Sequence, residues 1–204
     1  MIHVVDYGLG NVQAFLTMYK RLGFEAVRAK TAVDLIGAKK IILPGVGAFD
    51  RAIELLNQSG MRSTLEALVF QDKVPVVGIC VGMQLLASAS DEGHLPGLGW
   101  VPGKVRAFSA KVQSASLPLP HMGWNDVLPR SSSPLFVGLE SNARFYFLHS
   151  YYFECDDPLH DAATASYGLD FSCAVSAGNV YGVQFHPEKS HHFGAQLLKN
   201  FAEL

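Results

Sequence analysis

Cysteine is scarce in this sequence, three in 204 residues, and Cys80, Cys155 and Cys173 stand too far apart to form a CxxC pair. That spacing argues against a disulfide framework and against a metal site of the zinc type; it leaves at least one thiol free, which suits reducing surroundings. Also missing is any apolar run near the roughly 18 residues that span a bilayer. The opening MIHVVDYGLGN lacks a basic segment followed by an apolar stretch and a small-residue cleavage site, which predicts a cytoplasmic protein. Neither charge sign dominates: the formal net charge is −2, both signs are scattered, and no basic stripe is present for nucleic acid or an anionic membrane. The glycines of GLGN do not complete GxGxxG, because Val12 and Gln13 follow Asn11, and this excludes a nicotinamide fingerprint. No internal repeat is present.

Apolar residues at 49% and charged residues at 17% describe a globular chain, read as one domain over 1–204. IHVVD, EAVRA, KKIILPG and VPVVGI read as strands. Between them, Val12, Phe15, Leu16, Tyr19 and Leu22 recur at helical spacing, and further helices are expected over about 50–58 and 61–71. VGMQLLASA after the fourth strand reads as a helix apolar nearly all round and therefore buried. From Gly97 onward the pattern becomes short β segments (GWVPGKVRAF, HMGWNDVL, RFYFLHSYYFEC, DAATASY, FSCAVSAG, NVYGVQFHPE), with hairpin signals at GLD and AGN. KSHHFGAQLLKNFAEL closes as a helix with Phe193, Leu197, Leu198 and Phe201 on one face, and 109–120 and 131–134 read as loops. The fold class expected is α/β, a flavodoxin-like doubly wound parallel sheet with a β-rich antiparallel second half.

In GICVGMQ the chain turns from strand to helix at Cys80 with glycine on either side. A crowded corner of this kind tolerates only small neighbours and pushes its nucleophile out at the top of the sheet, where open α/β sheets bind ligands. A helix N-terminus there favours thiolate, and the Val81 N–H is placed to donate to an oxyanion. The general base expected is His186 of FHPEKS: in an extended segment His186 and Glu188 share a face, so Glu188 can orient the ring while its other nitrogen serves Cys80. His3, His94, His121, His149, His160, His191 and His192 read as surface or hydrogen-bonded residues. LPGVGAF, at the end of the third strand, can point a backbone amide outward beside Cys80.

GICVGMQLL, LPGVGAF and GVQFHPEKS, in this order and spacing, resemble the class I glutamine amidotransferases. DYGLGN, GLGWVPGKV, PHMGWN and FYFLHSYY narrow the resemblance to glutaminase subunits of imidazole glycerol phosphate synthases. It implies Cys80 as nucleophile, His186 as general base and acid, and Glu188 as its orienter. It further implies an oxyanion hole from the amides around Val46, Gly47 and Val81, and glutamine contacts from Gln84, Ser150 and Tyr151. Val81 stands where leucine is more usual, with little effect expected because the amide does the work. No cofactor is implied. The implied partner is a (β/α)8-barrel cyclase subunit in a heterodimer, touched by Asn11, Trp124, Tyr146 and Lys189. Three other readings compete: a paralogue serving a different acceptor such as a bacterial surface sugar, which SHHFGAQLLKNFAEL and AFDRAIELLNQSG also resemble; a non-catalytic scaffold; and a cysteine peptidase on a related fold.

Overall fold

A computed structural model describes residues 1–111, 117–130 and 133–204. In chain order the elements are β1 (Ile2–Val5), α1 (Val12–Leu22), β2 (Ala26–Ala29), β3 (Lys40–Gly45), α2 (Phe49–Gln58), α3 (Arg62–Phe70), β4 (Val76–Cys80) and α4 (Val81–Gln84). There follow β5 (Ala89–Ser90), β6 (Gly103–Ala107), α5 (Phe108–Lys111), β7 (His121–Asp126), β8 (Leu128–Pro129), β9 (Arg144–His149) and β10 (Tyr151–Cys155). The chain ends through β11 (Asp161–Ser166), β12 (Asp170–Ala177), β13 (Val180–Val183) and α6 (His191–Glu203).

The sheet runs β2-β1-β3-β4-β13-β12-β10-β6-β5, with β11 branching off at β12 and β8 pairing with β11. The β2-β1-β3-β4-β13 part is parallel, and from β1 inward its strands are buried throughout except at Lys40, the first residue of β3, as the continuous apolar runs require of a sheet covered on both faces. The antiparallel half therefore extends the same sheet, with β12 folding back on both β11 and β13 through the two expected hairpins. Among the described residues only β7 and β9 pair apart, as a separate antiparallel ribbon. No helix among the described residues is long and apolar enough to cross a membrane.

Four segments differ from expectation. The buried helix expected over VGMQLLASA stops after Gln84. Its next carbonyls are taken by a distant loop, since Leu98, Val101 and Gly99 N–H donate to the oxygens of Leu85, Leu86 and Ala87; tertiary hydrogen bonds thus replace the i+4 bonds a longer helix would make, and Ala89–Ser90 becomes a short strand. RFYFLHSYYFEC divides at Ser150 into strands of two different sheets, because β9 pairs with β7 while β10 pairs with β6 and β12. Of the expected loops, 109–120 begins with the turn of helix at Phe108–Lys111 and 131–134 ends in a 3-10 turn at Pro134–Phe136. Residues 112–116 and 131–132 lie outside the described residues.

Candidate active site

Cys80 is the last residue of β4 and the residue that leads into α4, at φ 55 and ψ −112. A non-glycine residue held at that φ is strained. The flanking glycines explain why the corner can close at all. A Cβ on Gly78 would overlap the Gly82 carbonyl, and one on Gly82 would overlap the Leu43 carbonyl oxygen of β3. The short α4 weakens one expectation: a single turn has little dipole with which to favour thiolate.

Strand register assembles the rest. Gly45 of β3 lies opposite Cys80, and Val183 of β13 opposite Ile79, so the segments that follow β3 and β13 leave the sheet beside the thiol. Pro187–Lys189 is a 3-10 turn with His186 before it; the extended i, i+2 geometry expected for His186 and Glu188 is replaced by that turn, which Pro187 begins with its fixed φ. The outcome is the same pairing. His186 Nδ1–H donates to Glu188 Oε1 at 2.8 Å, while Ser190 Oγ–H donates to the His186 carbonyl at 2.6 Å and accepts from Tyr146 N–H of β9 at 3.0 Å. The His186 N–H donates to the Tyr146 carbonyl, so the imidazole is fixed from both sides of its backbone.

The His186 ring and the Cys80 thiol line the same cavity, close enough for Cys80 to raise the pKa of the imidazole. Both residues are nearly closed to solvent, Cys80 at 5% and His186 at 4% exposure. Burial pulls the His186 pKa down, but the hydrogen bonds and charges of Cys80 and Glu188 outweigh it and raise the value to about 10. An imidazolium at neutral pH follows. Because the folded value lies above the unfolded one, the stability this ring contributes is complete below about pH 6.5 and fades as pH rises toward the folded value. The difference in urea unfolding free energy between wild type and His186→Gln is therefore expected to shrink from pH 6.5 to about 10, and a constant difference would contradict the ion pair.

A cavity of about 280 Å³ opens over the pair. Every residue expected in the oxyanion hole and glutamine pocket lines it: Val46, Gly47 and Val81, with Gln84, Ser150 and Tyr151. Gln84 Nε2–H donates to Gln184 Oε1 at 3.0 Å, and Gln184 Nε2–H donates to Cys80 Sγ at 3.7 Å. Of the four residues expected at an interface, three gather beside this cavity. Trp124 meets the Tyr146 ring edge-on at 6.4 Å and stacks on His191 at 5.4 Å, and Lys189 Nζ lies 5.7 Å above Tyr146. Asn11 is the N-cap of α1, on the loop whose Gly10 packs against Pro44.

The family model described as glutamine amidotransferase class-I matches residues 3–204. The chain belongs to that family. A class-I glutamine amidotransferase relative from Bdellovibrio bacteriovorus, named imidazole glycerol phosphate synthase subunit HisH, is 66% identical over 204 residues and covers all of both chains. A protein of the same name from Leptospira borgpetersenii is 50% identical over the same span, again covering all of both chains. One from Pseudomonas aeruginosa, named subunit HisH 2, is 45% identical and also fully covered. Among solved structures, a crystal structure of glutamine amidotransferase superposes with TM-score 0.77 at 22% identity, covering 99% of this chain and 97% of that one; at that identity the likeness concerns the fold.

Sequence reasoning missed three lining or supporting groups of this amidotransferase. Gln184 is wholly buried, and only the β4–β13 pairing brings it to the thiol. Glu92 lines the cavity from the loop after β5, its Oε2 accepting from Phe49 N–H at the start of α2; burial raises its pKa, the Phe49 N–H opposes the shift, and the nearby Asp50 charge adds to it. No motif marks that glutamate. His149, read as an ordinary hydrogen-bonded histidine, also lines the cavity.

Proposed function

We propose that this chain is the glutaminase subunit of an imidazole glycerol phosphate synthase, hydrolysing glutamine to glutamate and ammonia through a thioester on Cys80. His186, held between Cys80 and Glu188 at the floor of the cavity, carries the assignment. The Cys80 thiolate attacks the glutamine side-chain carbonyl, and the resulting oxyanion is met by backbone N–H groups of the Val46–Gly47 segment and Val81. Collapse breaks the C–N bond, and the His186 imidazolium gives its Nε2 proton to the departing nitrogen, releasing ammonia. Neutral His186 then takes a proton from water, whose oxygen attacks the thioester; glutamate leaves and the thiolate–imidazolium pair returns. Glu188 holds the ring in the orientation both transfers need. Gln84, Ser150 and Tyr151 line the space for the rest of the substrate, and the Glu92 carboxylate complements its α-ammonium. The steps balance with protein groups alone and call on no cofactor.

Ammonia free in neutral water is mostly ammonium, which has no lone pair to attack with, so direct delivery to a synthase site is an advantage. The β7–β9 ribbon offers a face for the recipient. Met122, opposite Leu148, and Trp124, opposite Tyr146, point away from the buried side, with Met122 64% and Trp124 40% exposed. Leu148 and Lys189 reach from this patch to the cavity lining. An exposed aromatic and apolar patch at a cavity mouth fits a docked subunit; a (β/α)8-barrel cyclase is that subunit, in a heterodimer, with Asn11, Trp124, Tyr146 and Lys189 at the contact.

Glutamine labelled with nitrogen-15 at its side-chain amide tests the assignment when the chain is purified with a barrel cyclase and its ribonucleotide substrate. Label is expected in the imidazole ring, and Trp124→Ala is expected to weaken the pairing by ~10-fold or more while alkylation of Cys80 keeps its rate. Hydrolysis whose label never enters the ring would remove the histidine-pathway assignment. A second reading, the same glutaminase feeding another acceptor such as a surface-polysaccharide sugar, is kept in view because relatives bearing the numbered designation HisH 2 stand among the matches. Label found in that acceptor with a different barrel subunit would decide for it.

A further inference from the structure

The buried side of the β7–β9 ribbon carries two histidines opposite one another, His121 and His149. His149 Nδ1 is 2.7 Å from the Tyr151 carbonyl oxygen, which only accepts, so that nitrogen carries the proton. Neutral His149 then has only an acceptor at Nε2, and His121 Nδ1, 2.9 Å away, must be the donor. His121 Nε2 in turn accepts from Asn125 Nδ2–H at 3.3 Å. The acceptor at one end thus determines the tautomer of both rings. Their surroundings keep them uncharged: His121 is stacked between Phe147 and Tyr167 at 4.8 and 4.1 Å, and His149 lies against Phe108 and Phe171. Burial in this aromatic box lowers His121 to about 4 and His149 to about 3, where the bond to Tyr151 opposes the shift.

The carbonyl on which the chain of bonds ends belongs to the glutamine pocket. Tyr151 O also receives Gln84 Nε2–H at 3.5 Å, and Gln84 leads through Gln184 to Cys80. We propose that His121 and His149 are positioning residues for glutamine: the one-way relay Asn125–His121–His149 holds the Tyr151 carbonyl, and with it Ser150, Tyr151 and Gln84, in the conformation that accepts substrate. The inference rests on the glutaminase reading and adds a support for its pocket that neither the triad nor the interface provides. Both histidines act through other groups; neither takes a proton from the reacting atoms.

Two measurements on the full chain test it. Nitrogen-15 NMR of the imidazoles at neutral pH is expected to show His121 and His149 neutral with the proton on Nδ1; a protonated Nε2 on His149 would overturn the relay. The second compares two alkylating agents on Cys80, a diazoketone analogue of glutamine that needs the pocket and iodoacetamide that needs only the thiolate. His149→Leu removes the donor to Tyr151, while His149→Asn places an amide N–H where Nδ1 stood. The leucine variant is expected to lose ~10-fold or more in rate with the analogue and to keep its iodoacetamide rate, and asparagine is expected to recover most of the loss. Equal loss with both agents, or no loss with the analogue, would overturn positioning. Failure of the analogue to label the wild type while iodoacetamide does would instead refute the glutaminase reading itself.

Discussion

Cys80→Ala is expected to lower kcat for glutamine hydrolysis, measured as glutamate formed in the presence of the cyclase partner, by ~10⁴-fold or more. Glutamine binding should survive within a few-fold, because the cavity walls come from other residues. A loss this large is expected because in the proposed mechanism nucleophile, base and orienter act as one unit, and without sulfur no thioester forms for His186 to assist. The same position gives a stability test of opposite sign. At φ 55 alanine keeps the strained backbone and glycine releases it, so Cys80→Gly is expected to exceed Cys80→Ala by about 1 kcal/mol in urea unfolding, against the usual order of the two residues. Undiminished hydrolysis in either variant would place the chemistry elsewhere.

Gly82→Ala is expected to cost about 3 kcal/mol or more of folding stability, a large part of what a domain of this size has, and to remove glutaminase activity with it. The new methyl would overlap the Leu43 carbonyl oxygen, and the next nearest atoms, Leu43 C and Pro44 C, are also backbone. That backbone cannot retreat cheaply, since β3 is paired on both sides, to β1 and to β4. Gly47→Ala is the control: its φ is +87 but nothing lies within 4 Å of the added carbon, so only the backbone term of about 1 to 2 kcal/mol applies. Similar unfolding curves for the two variants would show that the β3–α4 approach is looser than the geometry requires.

Much of this was legible in the residues. The strand-to-helix corner could be read because close backbone approach demands glycine on both sides of Cys80, and that demand is local. The first helices were legible for the same reason, their apolar spacing being set by the helix itself; α1 covers the 12–22 stretch so marked. Legibility failed where distant backbone competes for hydrogen bonds. VGMQLLASA has every local mark of a helix, yet the loop at 98–101 takes its carbonyls. His186 and Glu188 were paired correctly for a reason that proved incomplete, since a 3-10 turn and the Ser190 hydroxyl hold them, and that serine reads in sequence as any other polar residue.

By itself the sequence marked the candidates for the chemistry: one thiol at a glycine-flanked corner, a His-x-Glu segment, a Pro-Gly-x-Gly turn, and an amidotransferase pattern that joins them. Only the tertiary structure decided that they meet. β13 lies parallel beside β4, and this neighbour relation is a choice among strand pairings of similar local propensity, settled by burial and cross-strand hydrogen bonding over the whole sheet. That pairing placed Gln184 against the sulfur, and a separate one, β7 with β9, set His121 opposite His149. A residue's own neighbours in the chain carry no record of which strand will lie next to it.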